Sequence, residues 1–169
     1  GVAAGMSAAS KAKRIDKSLD ITVYEMTEAI SWGACGLPYY VGDFYPDASL
    51  MVARTHEEFK KEGITVKTKH KVENIDFKNK KVFVRNLNEN KVFEDSYDEL
   101  VIATGASSTS PKDIKNLDAE GVYHLKTFNE GLEVKKELMK KENENIIIIG
   151  AGYIGVEIAE AALKLGKNV

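Results

Sequence analysis

Apolar and polar positions change period several times along this chain, and each change predicts an element. Met6 to about Lys17 reads as an alanine-rich helix with its lysines turned to solvent. Ile21-Thr22-Val23-Tyr24-Glu25 is a short β-branched strand. A glycine-rich, aromatic loop runs over residues 31–45. Helical spacing returns over Met51 to Glu62, where Gly63 stops it, and Ile64 to Thr68 is strand-like. Three strand-sized runs follow: Val72 to Phe77, Lys81 to Arg85 and Lys91 to Glu94. Turn residues break them at 78–80 and 86–90, which predicts an antiparallel β-meander with one wet face. Leu100-Val101-Ile102-Ala103 has the all-apolar pattern of a buried strand and ends in Thr104-Gly105. Residues 107–111 form a polar connector. Gly131 to Lys141 is a lysine-rich helix whose charges read as a solvated face. Ile146 to Ile149 is a four-isoleucine strand, followed by a glycine turn and a helix that Gly166 closes. Strands alternating with helices, with a meander inserted, predict an α/β protein built on parallel sheet.

Both ends fall inside strand–turn–helix units. A glycine-rich turn at residues 1–5 opens the first helix with no strand before it, and the last unit stops where its next strand is due. The chain is therefore expected to be a fragment, truncated at both ends. Its 169 residues carry 30% charged side chains and a net charge of −2, which argues against a nucleic-acid binder. No apolar run approaches the roughly 18 residues of a membrane helix. The single cysteine, Cys35, excludes an internal disulfide and a multi-cysteine zinc site. It fits a reducing, cytoplasmic setting.

The most informative motif lies near the C-terminal end. Ile149-Gly150-Ala151-Gly152-Tyr153-Ile154-Gly155-Val156-Glu157 places G-x-G-x-x-G between a predicted strand and a predicted helix. Each glycine has a mechanical reason. Gly150 permits the tight turn, Gly152 lets backbone approach a pyrophosphate, and Gly155 lets helix and strand pack closely. The helix N-terminus then offers free N–H groups to the phosphates. An acidic residue that chooses between the two nicotinamide nucleotides is expected about 20 residues on, past Val169. The N-terminal end echoes this pattern imperfectly. Gly1 to Gly5 opens a helix, and Glu25 stands about 20 residues further on, where a carboxylate accepts from a ribose hydroxyl. Val2 occupies the middle-glycine position. Two dinucleotide turns in one chain suggest a flavoprotein reduced by a nicotinamide nucleotide.

Cys35 sits in Ser31-Trp32-Gly33-Ala34-Cys35-Gly36-Leu37-Pro38-Tyr39-Tyr40. This segment resembles the S-F-x-x-C-x-x-P-Y active-site pattern of coenzyme A-disulfide reductases, with Trp32 in place of phenylalanine. The chain as a whole is similar to the single-cysteine, FAD-dependent pyridine nucleotide-disulfide oxidoreductases, which include NADH oxidases, peroxidases and persulfide reductases. The first turn, Glu25, residues 50–55, Val101 to Gly105 and Gly150 to Glu157 all carry the likeness.

The resemblance implies an α/β, FAD/NAD(P)-binding Rossmann-like, three-layer fold with an inserted antiparallel meander. It implies an FAD-binding domain over residues 1–108, a connector over 109–143 and the start of an NAD(P)H-binding domain over 144–169. FAD would lie along Gly1, Ala3, Ala4 and Glu25, with Val72 and Ala103-Thr104-Gly105 nearby. NADH or NADPH would use Gly150, Gly152, Tyr153, Ile154, Gly155 and Glu157. Cys35 would be the redox nucleophile, and the thiolate is the reactive form of a cysteine. A helix start at Leu37-Pro38 would favour that form. Two-cysteine relatives use C-x4-C, whereas position 40 here is Tyr40. A lone thiol stores its oxidised state as a mixed disulfide or as a sulfenic acid. The first outcome implies a reductase of coenzyme A disulfide or of a small-thiol persulfide. The second implies an NADH oxidase or peroxidase. Oxidase relatives usually carry a histidine where Ala3 stands. His56, His70 and His124 lie elsewhere and read as surface residues, so the reductase is preferred. Lys11, Lys13 and Arg14 on the first helix, and Ser31 at the loop's start, are candidates for substrate contact, with coenzyme A the expected ligand. The expected partners are a small-molecule thiol or disulfide and a second copy in a homodimer, with no nucleic acid and no membrane. A non-catalytic nucleotide-binding fragment is the remaining alternative.

Overall fold

A computed structural model describes residues 1–169. The chain divides into two compact units, Gly1–Trp32 with Val52–Gly105, and Gly33–Met51 with Ala106–Val169.

In the first unit, α1 (Ala3–Ile15) leads into β1 (Ile21–Tyr24), which pairs in parallel with β2 (Ile64–Lys67), Ile21 opposite Ile64 and Val23 opposite Val66. Helix α1 begins three residues earlier than its apolar spacing suggested and buries Met6 and Ala9, one turn apart on one face. They pack with Ile30, Phe59 and Ile64, while Ile21, Val23 and Val66 close the cluster from the sheet. Phe59 comes from α3 (His56–Lys61). The single helix expected over 51–62 is instead a 3₁₀ turn, Ala48–Met51, and this separate short helix. Thr55 and Glu58 explain the break, because the Thr55 hydroxyl accepts from the Glu58 amide while the Glu58 carboxylate accepts from the Thr55 amide. That capping box starts a new helix four residues after Met51.

Strands β3 (His70–Asp76), β4 (Lys81–Asn86) and β5 (Lys91–Ser96) form the expected antiparallel meander, with a register shift between Val72 and Asn74. Val82 and Val84 of β4 are buried, and the charged pairs Lys81–Glu94 and Arg85–Glu73 cross between the strands. His70 is not a plain surface residue. Its ring packs against Tyr24 and Phe93, and Lys67 lies over both of those aromatic rings. The Tyr24 hydroxyl donates to Asp95, and burial raises its pKa well above the usual phenol range.

The second unit contains α2 (Leu37–Val41), α4 (Phe128–Leu138) and α5 (Tyr153–Lys164). Val41, Leu138 and Ala162 are its buried centre, and Leu125, Val134, Ile146 and Ile158 pack around them. Helix α4 starts three residues before Gly131 because Thr127 and Glu130 form a second capping box. Its lysines are not all a solvated face. Lys135 is only 12% exposed, pairs with Asp43 at 2.7 Å and lies 4.1 Å above the Tyr40 ring.

Two expected strands are absent. Residues 100–103 join no sheet, and Val101 and Ile102 are 69% and 57% exposed rather than buried. Residues 146–149 likewise form no ladder; Asn145 alone makes a parallel bridge, to Asn168. A strand needs a run of hydrogen-bonded neighbours; residues 100–103 have no ladder partner, and at 146–149 only the Ile146 amide finds one, donating to the Asn168 carbonyl at 2.8 Å.

Candidate nucleotide and thiol sites

The first turn and Glu25 meet in space. Oε2 of Glu25 lies 2.8 Å from the Gly1 nitrogen, and a Cβ on Gly1 would stand 2.6 Å from that oxygen. Glycine is therefore the residue that fits there. Strand β1 delivers Glu25 to this point. The Glu25 amide donates to the Lys67 carbonyl, which extends the parallel ladder by one residue. The Glu25 side chain is 12% exposed. Burial alone would raise its carboxyl pKa. Hydrogen bonds from the amide and hydroxyl of Thr27, together with the charged terminal amino group that Gly1 carries in this chain, outweigh that and hold it below the ordinary range. The group is thus an ionised acceptor beside a glycine turn, the chemistry that a ribose diol requires. Thr27 was not singled out from the sequence; a threonine two residues past the acidic strand end is the local signal that points to it.

Other residues expected at this site are more dispersed. Ala3 and Ala4 form the first turn of α1, and the Ser31 amide donates to the Gly1 carbonyl. Ser31 holds a positive φ of 47°, an uncommon conformation for a non-glycine residue. Ala103 lies close to α1, its methyl carbon 3.5 Å from where a Cβ on Gly5 would be. Thr104 and Gly105 are exposed, Gly105 with φ +69°. Val72 lies on β3 opposite Val84, half-buried. Lys11 and Arg14 are exposed on α1, and Lys13 donates to the Leu19 carbonyl at the end of that unit's first loop.

The second glycine turn has the geometry that its spacing predicts. Gly150 adopts φ +115°, which only glycine takes without strain. A Cβ on Gly155 would stand 1.9 Å from the Gly150 carbonyl oxygen, so turn and helix touch backbone to backbone. Gly152 is the N-cap of α5, and no atom lies within 4 Å of its Cβ position. No side chain caps this helix. Its first amides therefore face an open approach that an anionic group can use. Tyr153 is 92% exposed, Ile154 and Val156 are exposed, and Glu157 is half-buried on the next turn. One turn offers an ionised acceptor against glycine backbone, the other uncapped amides above an open glycine.

Cys35 is an exposed free thiol in a 3₁₀ turn, Ala34–Gly36, that runs directly into α2 with Pro38 in the helix's first turn. The return loop braces this turn. The Tyr45 hydroxyl donates to the Gly36 carbonyl at 2.6 Å. The loop is held in turn by Lys135, which bonds the Asp43 carboxylate, and by Lys164, which donates to the Gly42 and Asp43 carbonyls at 2.9 and 3.0 Å. Burial raises the Tyr45 phenol, which keeps it a donor.

Two glycine turns of this kind, each opening a helix, define a dinucleotide-binding α/β protein, and the thiol turn adds a redox-capable group. Comparison with known proteins sharpens that class. The pyridine nucleotide-disulphide oxidoreductase family matches residues 1–169, and the chain belongs to it. Its members use FAD and NAD(P)H. The chain is 39% identical over 167 residues to the CoA-dependent NAD(P)H sulfur oxidoreductase of Pyrococcus furiosus, covering 99% of this chain and 37% of that protein. It is 32% identical over 168 residues to the coenzyme A disulfide reductase of Staphylococcus aureus, again covering 99% and 37%. The solved structure of an NAD-dependent persulfide reductase from A. fulgidus superimposes with a TM-score of 0.91 at 38% identity, covering 99% of this chain and 31% of that one. The chain thus spans under two-fifths of the length of each of these proteins.

Proposed function

We propose that the protein is an NAD(P)H-dependent flavoprotein that reduces coenzyme A disulfide, or a coenzyme A or other small-thiol persulfide, through Cys35. The observation that carries this reading is an exposed, unpaired thiol in a braced turn at the mouth of a helix, in a chain with two dinucleotide turns. The likeness to a coenzyme A disulfide reductase and to sulfur and persulfide reductases supports it. On this reading residues 1–108 bind FAD, 109–143 connect, and 144–169 begin the NAD(P)H-binding domain. FAD, when bound, relays an electron pair from NAD(P)H to a disulfide.

The chain's own residues have these parts. Glu25 accepts from the ribose of the flavin nucleotide, and Gly1 leaves room for it. The amides at the start of α5 receive the pyrophosphate of the nicotinamide nucleotide above Gly152. The Cys35 thiolate attacks one sulfur of the substrate disulfide, and one thiol leaves with a proton. Cys35 remains in a mixed disulfide, and two electrons return it to the thiolate and release the second thiol. On this reading the mixed disulfide between Cys35 and substrate is the oxidised resting form. Ala3, where oxidase relatives place a histidine, favours this over peroxide chemistry. A homodimer in the cytoplasm completes the reading.

The test is the intact mass of the full-length protein purified without reductant, with peptide mapping of Cys35. A coenzyme A or other small-thiol adduct on Cys35 is expected. A sulfenic acid there moves the protein to the oxidase side, and an unmodified, unreactive Cys35 overturns the redox role.

A further inference from the structure

We propose that Thr27 is a positioning residue for flavin-nucleotide capture: its hydroxyl and amide together pin one oxygen of Glu25, which commits the other oxygen to the first glycine turn. The inference rests on the FAD reading of that turn. The geometry is specific. The Thr27 amide donates to Oε1 of Glu25 at 2.7 Å, and the Thr27 hydroxyl donates to the same oxygen at 2.7 Å. Oε2 alone faces the Gly1 nitrogen. Two donors on one oxygen fix the carboxylate's direction, where a single bond would let it swing. Thr27 is itself tied to neighbouring backbone. Its carbonyl accepts from the Lys69 amide at 3.1 Å, and the Glu25 carbonyl accepts from the His70 amide at 2.9 Å. Residues 25–27 are thereby stitched to Lys69 and to the first residue of β3.

The charged groups around this turn are engaged elsewhere. Lys69 pairs with Glu28, and Lys67 lies over the Tyr24 and Phe93 rings. The His70 ring packs on Tyr24 and Phe93, its Nδ1 2.7 Å from the Thr68 carbonyl. Asp95 accepts from Tyr24. The Thr27 amide and hydroxyl are the loop donors that oppose the effect of burial on Glu25. Without the hydroxyl, burial acts on the carboxyl with one opposing bond fewer, and the group protonates at higher pH. A protonated carboxyl has lost acceptor capacity toward a diol.

The experiment compares wild-type full-length protein with Thr27→Val, which keeps the volume and loses the hydroxyl, and Thr27→Ser, which keeps the hydroxyl. FAD affinity is read by flavin fluorescence quenching on the flavin-free protein, and the pH of flavin release by acid titration of the loaded protein. The Glu25 carboxyl is titrated separately by carbon NMR without flavin. Thr27→Val is expected to weaken FAD about five- to tenfold, to release it at higher pH and to raise the Glu25 titration midpoint. Thr27→Ser restores all three. An unmoved Glu25 midpoint in Thr27→Val, or a Thr27→Ser variant as impaired as Thr27→Val, overturns the inference. A raised midpoint with FAD binding unchanged overturns the flavin assignment of this turn and with it the capture role.

Discussion

Gly152 and Gly155 stand three residues apart in one motif, yet the structure assigns alanine opposite consequences at the two positions. A Cβ on Gly155 would lie 1.9 Å from the Gly150 oxygen and 3.1 Å from its carbonyl carbon. The obstacle is backbone rather than the far end of a movable side chain, so the turn itself must shift to make room. Overpacking against movable side chains costs about 1–3 kcal/mol. Against a fixed carbonyl, Gly155→Ala is expected to cost about 3 kcal/mol or more. A Cβ on Gly152 meets nothing within 4 Å, and its φ of −76° suits any residue. Gly152→Ala should therefore change stability by less than about 0.5 kcal/mol. Its methyl group instead fills the approach to the α5 amides, and NAD(P)H affinity should fall about tenfold or more. Urea unfolding and nucleotide titration of the two full-length variants separate the effects. A Gly152→Ala variant that binds NAD(P)H normally refutes the cradle, and a Gly155→Ala variant of wild-type stability refutes the backbone contact.

Further predictions follow from the same geometry. Because the Glu25 carboxyl is held below its ordinary range, its stabilisation is complete above the unfolded-chain value and is lost as pH falls through the folded one. Glu25→Gln should cost about 1 kcal/mol at neutral pH, and the difference from wild type should vanish in acid; a gap independent of pH in denaturation curves contradicts this. Tyr45→Phe keeps the ring and loses the donor to Gly36, while a Cβ on Gly36 would stand 2.9 Å from the Tyr45 oxygen. Gly36→Ala should thus cost about 0.5–1 kcal/mol less in a Tyr45→Phe background than alone, and additive penalties in a double-mutant cycle would sink that contact. Phe59, 1% exposed at the centre of the first unit's core, should cost about 3–5 kcal/mol on truncation to alanine, read as a lowered urea midpoint.

What the sequence made legible depended on how local its cause was. The glycine turn at 150–155 and the meander are readable because turn chemistry and apolar period act over a few residues; the alternation of elements gives a parallel sheet, but not that β1 pairs with β2. Helix starts at Thr55 and Thr127 have an equally local signal, a glutamate three positions on, which apolar spacing alone does not show. The strands expected at 100–103 and 146–149 failed for another reason: apolar runs state a preference for sheet, and the neighbour that realises it must come from elsewhere. Lys135 looked like one charge in a solvated row. Only tertiary packing shows Asp43 and Tyr40 meeting it. At the sites, Glu25 and Cys35 were legible from motif and spacing. Thr27 and Tyr45, which hold them in place, were not, because their partners are set by loop geometry.

On the proposed reading, Cys35 is a redox centre distinct from the flavin. Anaerobic reductive titration of the full-length flavoprotein, isolated without reductant, tests it directly. Two two-electron equivalents per flavin are expected for wild type and one for Cys35→Ser, since an oxidised single thiol stores one electron pair beyond the flavin's own. One equivalent in both proteins would contradict it.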